Sequence, residues 1–138
     1  MRSPDDRSVK ELTLAAAGFE DPGLFAVLEH AAETPERYDD LTFGLVAMQH
    51  DGTVFAYGAV EAKYSGISPA RVLGRNFFTD VAPCCNNFMV SGRFDEEPDL
   101  DVIIDYVFTL KMRPTRVELR LLRSSTSPRQ YVAIRRRS

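Results

Sequence analysis

The strongest constraint on the fold lies in residues 102–111, where apolar and polar side chains alternate with a period of two. Tyr106, Phe108, Leu110 and Met112 fall to one side of that run, and Asp105, Thr109 and Lys111 to the other. Side chains of a β-strand point alternately to opposite faces, so this pattern describes a half-buried strand of an antiparallel sheet. Two further strand candidates follow, residues 116–123 and 130–136, punctuated by Pro114 and Ser127-Pro128. Upstream, residues 41–49 and 53–57 read as strands, and His50-Asp51-Gly52 between them carries the Asp-Gly signal of a tight hairpin.

Helical segments fill the remainder. Residues 58–66 and 69–74 read as short helices, the second with Ser68 as cap and Pro69 as first helical residue. A short segment covers residues 88–97. Near the start, Ser8-Val9-Lys10-Glu11 is a capping-box pattern opening residues 12–17, with Gly18 closing the helix. Asp21-Pro22 then supplies a cap and a first-turn proline for residues 24–32, whose Leu24, Val27, Leu28 and Ala31 share one face, and Thr34-Pro35 ends that helix. Two strands, helices, then three strands suit an α+β domain with helices segregated to one face of an antiparallel sheet. The string resembles a PAS domain: a central five-stranded antiparallel sheet over residues 41–138, short helices on one face, and residues 1–40 as an N-terminal helical cap.

Size, composition and charge narrow the function. The 138 residues suit one domain, and no apolar run approaches the roughly 20 residues of a membrane span. Met1-Arg2-Ser3-Pro4-Asp5-Asp6 lacks the basic and apolar regions of a signal peptide, so a cytoplasmic location is expected. Adjacent Cys84-Cys85 suits neither a structural disulfide nor a metal site, and His30 and His50 are the sole histidines, so no metal is expected. Residues 1–40 carry ten acids and four bases, whereas residues 113–138 carry eight bases and one acid. The two ends either attract or form independently solvated surfaces. The run Arg135-Arg136-Arg137 reads as a solvated strand end, and with a net charge of −3 no nucleic-acid partner is expected.

Two separated segments carry a specific resemblance. Asn76-Phe77-Phe78-Thr79-Asp80-Val81-Ala82-Pro83-Cys84 and Tyr57-Gly58-Ala59-Val60-Glu61 resemble the chromophore-attachment and chromophore-contact segments of the photoactive yellow proteins. The likeness runs from about Phe43 to the C-terminus, with a short deletion before the Val102 strand. It implies that Cys84 carries p-coumaric acid (4-hydroxycinnamic acid) as a thioester, held in the dark as a trans phenolate. Tyr57 and Glu61 then match the phenolate's hydrogen-bond partners, and a four-residue spacing brings both to one side. For Glu61 to donate, it must be protonated, which requires burial away from a paired cation. Ser65 stands where the family usually has threonine and keeps the supporting hydroxyl. Ile67 replaces an arginine frequent in the family, leaving an aliphatic cover with no cation. Leu110 replaces a common tyrosine, Cys85 follows the anchor where a small polar residue is usual, and Phe77, Val81, Phe108 and Met112 complete the apolar pocket. Met112 is expected to assist thermal return.

Without the resemblance, Cys84 would be an inert small hydrophobe, Tyr57 a core aromatic and Glu61 an exposed helical carboxylate. With it, the chain is expected to be a blue-light receptor and not an enzyme. It would work by trans–cis isomerisation, proton transfer from Glu61 and partial unfolding, and pass the signal to an unidentified downstream protein, as a monomer or weak dimer. The alternatives are a light-insensitive PAS interaction module and a thiol enzyme using Cys84, for which neither His30 nor His50 is an obvious base.

Overall fold

In the computed structural model, which describes residues 14–109 and 113–136, five antiparallel strands form one sheet. They are β1 (Gly44–Gln49), β2 (Val54–Tyr57), β3 (Leu100–Phe108), β4 (Thr115–Arg123) and β5 (Arg129–Arg136), in the spatial order β2-β1-β5-β4-β3. The β1–β2 connection turns at Gly52, whose φ of 93° lies in the left-handed region, and the Asp51 carboxylate accepts the Thr53 N–H at 2.9 Å. Central position explains the burial of each strand. β1 and β5 are covered on both faces and read as nearly continuous buried runs, while β3, at an edge, buries alternate residues as its sequence predicts.

Two cores result, one on each face. Val46, Met48, Leu119, Leu121, Val132 and Ile134 pack with Phe77, Phe78, Cys85, Phe94 and Phe108. Leu45, Ala47, Leu122, Tyr131 and Ala133 pack on the other side with Leu24, Leu28, Ala31 and Tyr38. Short helices α1 (Leu24–His30), α2 (Ala59–Ser65) and α3 (Ser91–Glu96) accompany the sheet. α2 is closed by Gly66 in the left-handed conformation at φ 73°, with its N–H on the Ala62 carbonyl.

Several local expectations are corrected. α1 starts at Leu24 with Gly23 before it, and the Asp21 carboxylate accepts the Gly18 N–H at 2.7 Å, closing a turn instead of capping the helix. Ser68 makes no side-chain cap bond ahead of the short Pro69–Arg71 turn. β3 spans Leu100–Phe108, so it begins two residues before the expected start and Thr109 lies outside it. The Ser8 capping box lies outside the described residues, as do Leu110 and Met112.

Charge asymmetry between the two ends becomes a set of contacts. Arg120 of β4 is 4% exposed and donates to both Asp101 carboxylate oxygens at 2.8 Å, to the Phe19 carbonyl at 3.0 Å and to the Asp21 carbonyl at 2.7 Å. Arg129 donates to Glu29 at 2.9 Å, and Tyr131 donates to the same oxygen. Burial pushes Glu29 up, but hydrogen bonds from Arg129, Ser127 and Tyr131 outweigh it and hold the carboxyl below its ordinary value. Arg135 bridges Glu20 and Glu118, with its guanidinium 4.6 Å from the Phe19 ring centroid. The arginines at the end of β5 are therefore not a solvated tail: Arg135 holds the N-terminal segment, and Arg136 points to the opposite face.

Candidate functional site

Tyr57 ends β2, and Gly58 leads directly into α2, so Glu61 and Ser65 stand one helical turn apart behind it. All three are buried. The Tyr57 hydroxyl and Ser65 Oγ share a 2.8 Å hydrogen bond, and Ser65 Oγ also accepts the Ile67 N–H at 3.1 Å. Burial, reinforced by the nearby Glu61 charge, pushes the Tyr57 phenol up to about 12. Burial also raises Glu61, and Arg136 pulls it partly back. Gly44 on β1 makes room for this carboxyl, because a Cβ there would stand 2.3 Å from Glu61 Oε1.

Cys84 packs against the core cluster that contains Tyr57 and is held by its own set of contacts. The turn Phe77–Val81 is capped by Asn76, whose Oδ1 accepts the Phe78 and Thr79 N–H groups at 3.0 and 3.1 Å. Asn76 Nδ2 donates to the Asp51 carbonyl, tying this segment to the β1–β2 hairpin. The short turn Pro83–Cys85 follows. Its Cys84 carbonyl accepts hydrogen bonds from the Tyr106 hydroxyl and from Asn87 Nδ2, the latter at 3.0 Å, so the backbone beneath the thiol is fixed by β3 and the next loop. The thiol is lowered to about 6, chiefly by the hydrogen bond from Cys85, with smaller help from Thr109 and opposed by burial. Cys85 is fully buried and pushed up by that same bond and by desolvation. Cys84 is half-buried and Cys85 fully buried, so of the two thiols Cys84 is the one open to a reactant, and its lowered value favours the nucleophilic thiolate.

The structure brings most of the sequence-derived residues together. Tyr57, Phe77, Cys85 and Phe108 share one core cluster, against which Ile67, Val81 and Cys84 pack. Sequence reasoning missed Tyr106, Asn87 and Arg136. Tyr106 lies on the inward side of β3, which the alternation shows, but nothing in the chain links Asn87 to the Cys84 carbonyl. Cations also stand where none was expected. Arg136 pairs with Glu61, and Arg71 and Arg75 line a cleft of about 290 Å³ with Ile67 and Val81. Among the described residues no cluster of His, Cys, Asp and Glu is arranged to hold a metal, and no helix is long and apolar enough to cross a membrane.

A five-stranded antiparallel sheet in the order β2-β1-β5-β4-β3, with short helices beside it, defines a PAS-fold domain. The PAS domain of an HTR-like protein from Haloarcula marismortui superposes with a TM-score of 0.57 at 16% identity, over 80% of this chain and 99% of that one, and shares the fold. The chain belongs to the photoactive yellow protein family. It is 39% identical over 101 residues to the photoactive yellow protein of Rhodothalassium salexigens, covering 71% of this chain and 81% of that protein. The protein of the same name from Halochromatium salexigens is 33% identical over 101 residues, with the same coverage. The photoactive yellow protein domain of the sensor histidine kinase Ppr from Rhodospirillum centenum matches at 38% identity and a TM-score of 0.66, over 71% of this chain and 94% of that domain. No protein-family model matches the chain.

Proposed function

We propose that the protein is a blue-light receptor carrying p-coumaric acid as a thioester on Cys84. The observation that supports this most directly is a half-buried Cys84 packed against the core that also holds Tyr57, whose hydroxyl is bonded to Ser65 on the helix that carries the buried Glu61. When bound, the chromophore supplies visible absorption and a double bond that isomerises in light. The chain's own residues do the rest. Cys84 anchors the tail, with Tyr106 and Asn87 fixing its carbonyl. Tyr57, oriented by Ser65, and Glu61, as a neutral acid, donate to the phenolate, whose burial without donors would be costly. Phe77, Val81, Phe108 and Ile67 exclude water, and Leu110 and Met112, which lie outside the described residues, complete the set suggested by sequence.

After isomerisation Glu61 gives up its proton and becomes a carboxylate in an apolar core. Even with Arg136 beside it, a new buried carboxylate carries a desolvation cost that is a sizeable share of the roughly 5–15 kcal/mol stability of a domain. Residues 1–40, acting as a detachable cap on residues 41–138, then loosen from the β4–β5 arginines and uncover a sheet face for a downstream signalling protein. No catalytic turnover is needed.

Reconstitution tests the reading. Apoprotein treated with activated p-coumaric acid is expected to gain one adduct by intact mass and a yellow band, both absent in Cys84→Ala. No adduct would favour a light-insensitive PAS interaction module.

A further inference from the structure

The light-receptor reading requires Glu61 to hold a proton in the dark, yet its carboxyl lies in a bidentate contact with Arg136. Nη1 is 2.6 Å from Oε1, and Nη2 is 3.0 Å from Oε2. A planar guanidinium fork matches the ionised carboxylate in this geometry. The pair is enclosed, with side-chain exposures of 16% for Arg136 and 2% for Glu61. The guanidinium carbon also lies 5.1 Å from the Tyr64 ring centroid and 5.9 Å from that of Phe108, so the cation keeps a seat over two rings when the carboxyl turns away. Arg136 shares its side of β5 with Val132 and Ile134, the side that faces the core cluster of Tyr57, Cys85 and Phe108.

We infer that Arg136 is a positioning residue that sets whether Glu61 holds its proton. It grips the carboxylate before the pocket is loaded, loses it when Glu61 turns to the phenolate as a neutral acid, and takes it back once Glu61 has given its proton away. This rests on the light-receptor reading. One proton changes owner, from Glu61 Oε to the phenolate oxygen, so the negative charge passes to Glu61 and no other bond breaks. Other titratable groups facing Glu61 are Tyr57 from β2, held neutral by burial and the Glu61 charge, and Cys85 from the Pro83–Cys85 turn, held neutral by the adjacent Cys84 thiol and burial, while β1 contributes the Gly44 backbone. Arg136 is thus the one cation against the carboxyl among these neighbours. Without it, the buried carboxylate has no counter-ion, and the neutral acid is favoured.

The test begins with the apoprotein, where no chromophore is needed. The infrared carboxyl band of Glu61, assigned by its loss in Glu61→Gln, is followed against pH. In Arg136→Gln its midpoint is expected to rise by about one pH unit or more, a tenfold change in proton affinity. Arg136→Lys, which keeps the charge without the fork, is expected to fall between and serves as the test if Arg136→Gln does not fold. In reconstituted protein, Arg136→Gln is expected to recover in the dark about tenfold faster. Identical Glu61 titrations in the wild type and both variants would overturn the inference. Failure of Cys84 to take the chromophore would defeat the light-receptor reading while leaving the apoprotein titration intact.

Discussion

Arg120→Met is expected to destabilise the protein by about 3 kcal/mol and to do so by releasing the N-terminal segment. The guanidinium is 4% exposed and donates to the Phe19 and Asp21 carbonyls as well as to Asp101. Hydrogen bonds from a charged donor contribute roughly 1.5–3 kcal/mol each, so the two carbonyl bonds account for about 3 kcal/mol at the lower end. The Asp101 pair adds little, because that carboxylate is half exposed and screened. Methionine retains most of the aliphatic stem, which limits the loss to polar terms. With a urea dependence of about 2 kcal/mol per molar, the midpoint should fall by about 1.5 M. Far-UV circular dichroism measures the midpoint, and hydrogen exchange by mass spectrometry shows where protection is lost. Residues 14–40 should lose protection while β1 and β5 keep theirs. A loss under about 1 kcal/mol, or one spread evenly over the sheet, would refute the view that Arg120 clamps this segment.

Other perturbations address the pocket and its pH dependence. Gly44→Ala places a methyl on the Glu61 carboxyl and should cost about 1–3 kcal/mol while breaking the Arg136 pair, read by urea denaturation and the Glu61 infrared band. Tyr57→Phe removes the 2.8 Å bond to Ser65 and should cost about 1 kcal/mol in the apoprotein, measured by the same denaturation. Alkylation of Cys84 should reach half its maximal rate near pH 6, and Cys85→Ala should shift that midpoint towards the ordinary thiol value, followed by peptide mass spectrometry. Glu29 is held below its ordinary value when folded, so its contribution is present above the unfolded value of about 4.3 and is lost as pH falls further. Glu29→Gln should therefore flatten the acid limb of the stability profile.

Most of the fold was legible because local pattern and tertiary role agree. The alternation of β3 survives because that strand is an edge with one covered face, and Asp51-Gly52 marks the hairpin because Gly52 adopts the positive φ the turn requires. Caps were less legible. Asp21 precedes a helix and a proline, yet its carboxylate serves the Gly18 N–H behind it, a choice made by chain geometry and not by composition. The candidate pocket followed from Tyr57, Glu61 and Cys84 as a resemblance, but its electrostatics did not. Arg136 is far from Glu61 along the chain, and strand register brings it there; in sequence it is one of three arginines in a row. Arg120 was hidden for a related reason. An arginine in a strand reads as solvent-facing until a segment about a hundred residues away covers it.

If Cys84 and the Tyr57–Glu61 pair form a working photoreceptor pocket, a blue-light flash on the reconstituted protein must drive a reversible spectral change. The yellow band should bleach and return in the dark, with Glu61→Gln altering both the band position and the return. A Cys84 adduct whose band does not respond to light, or responds identically in Glu61→Gln, would contradict it.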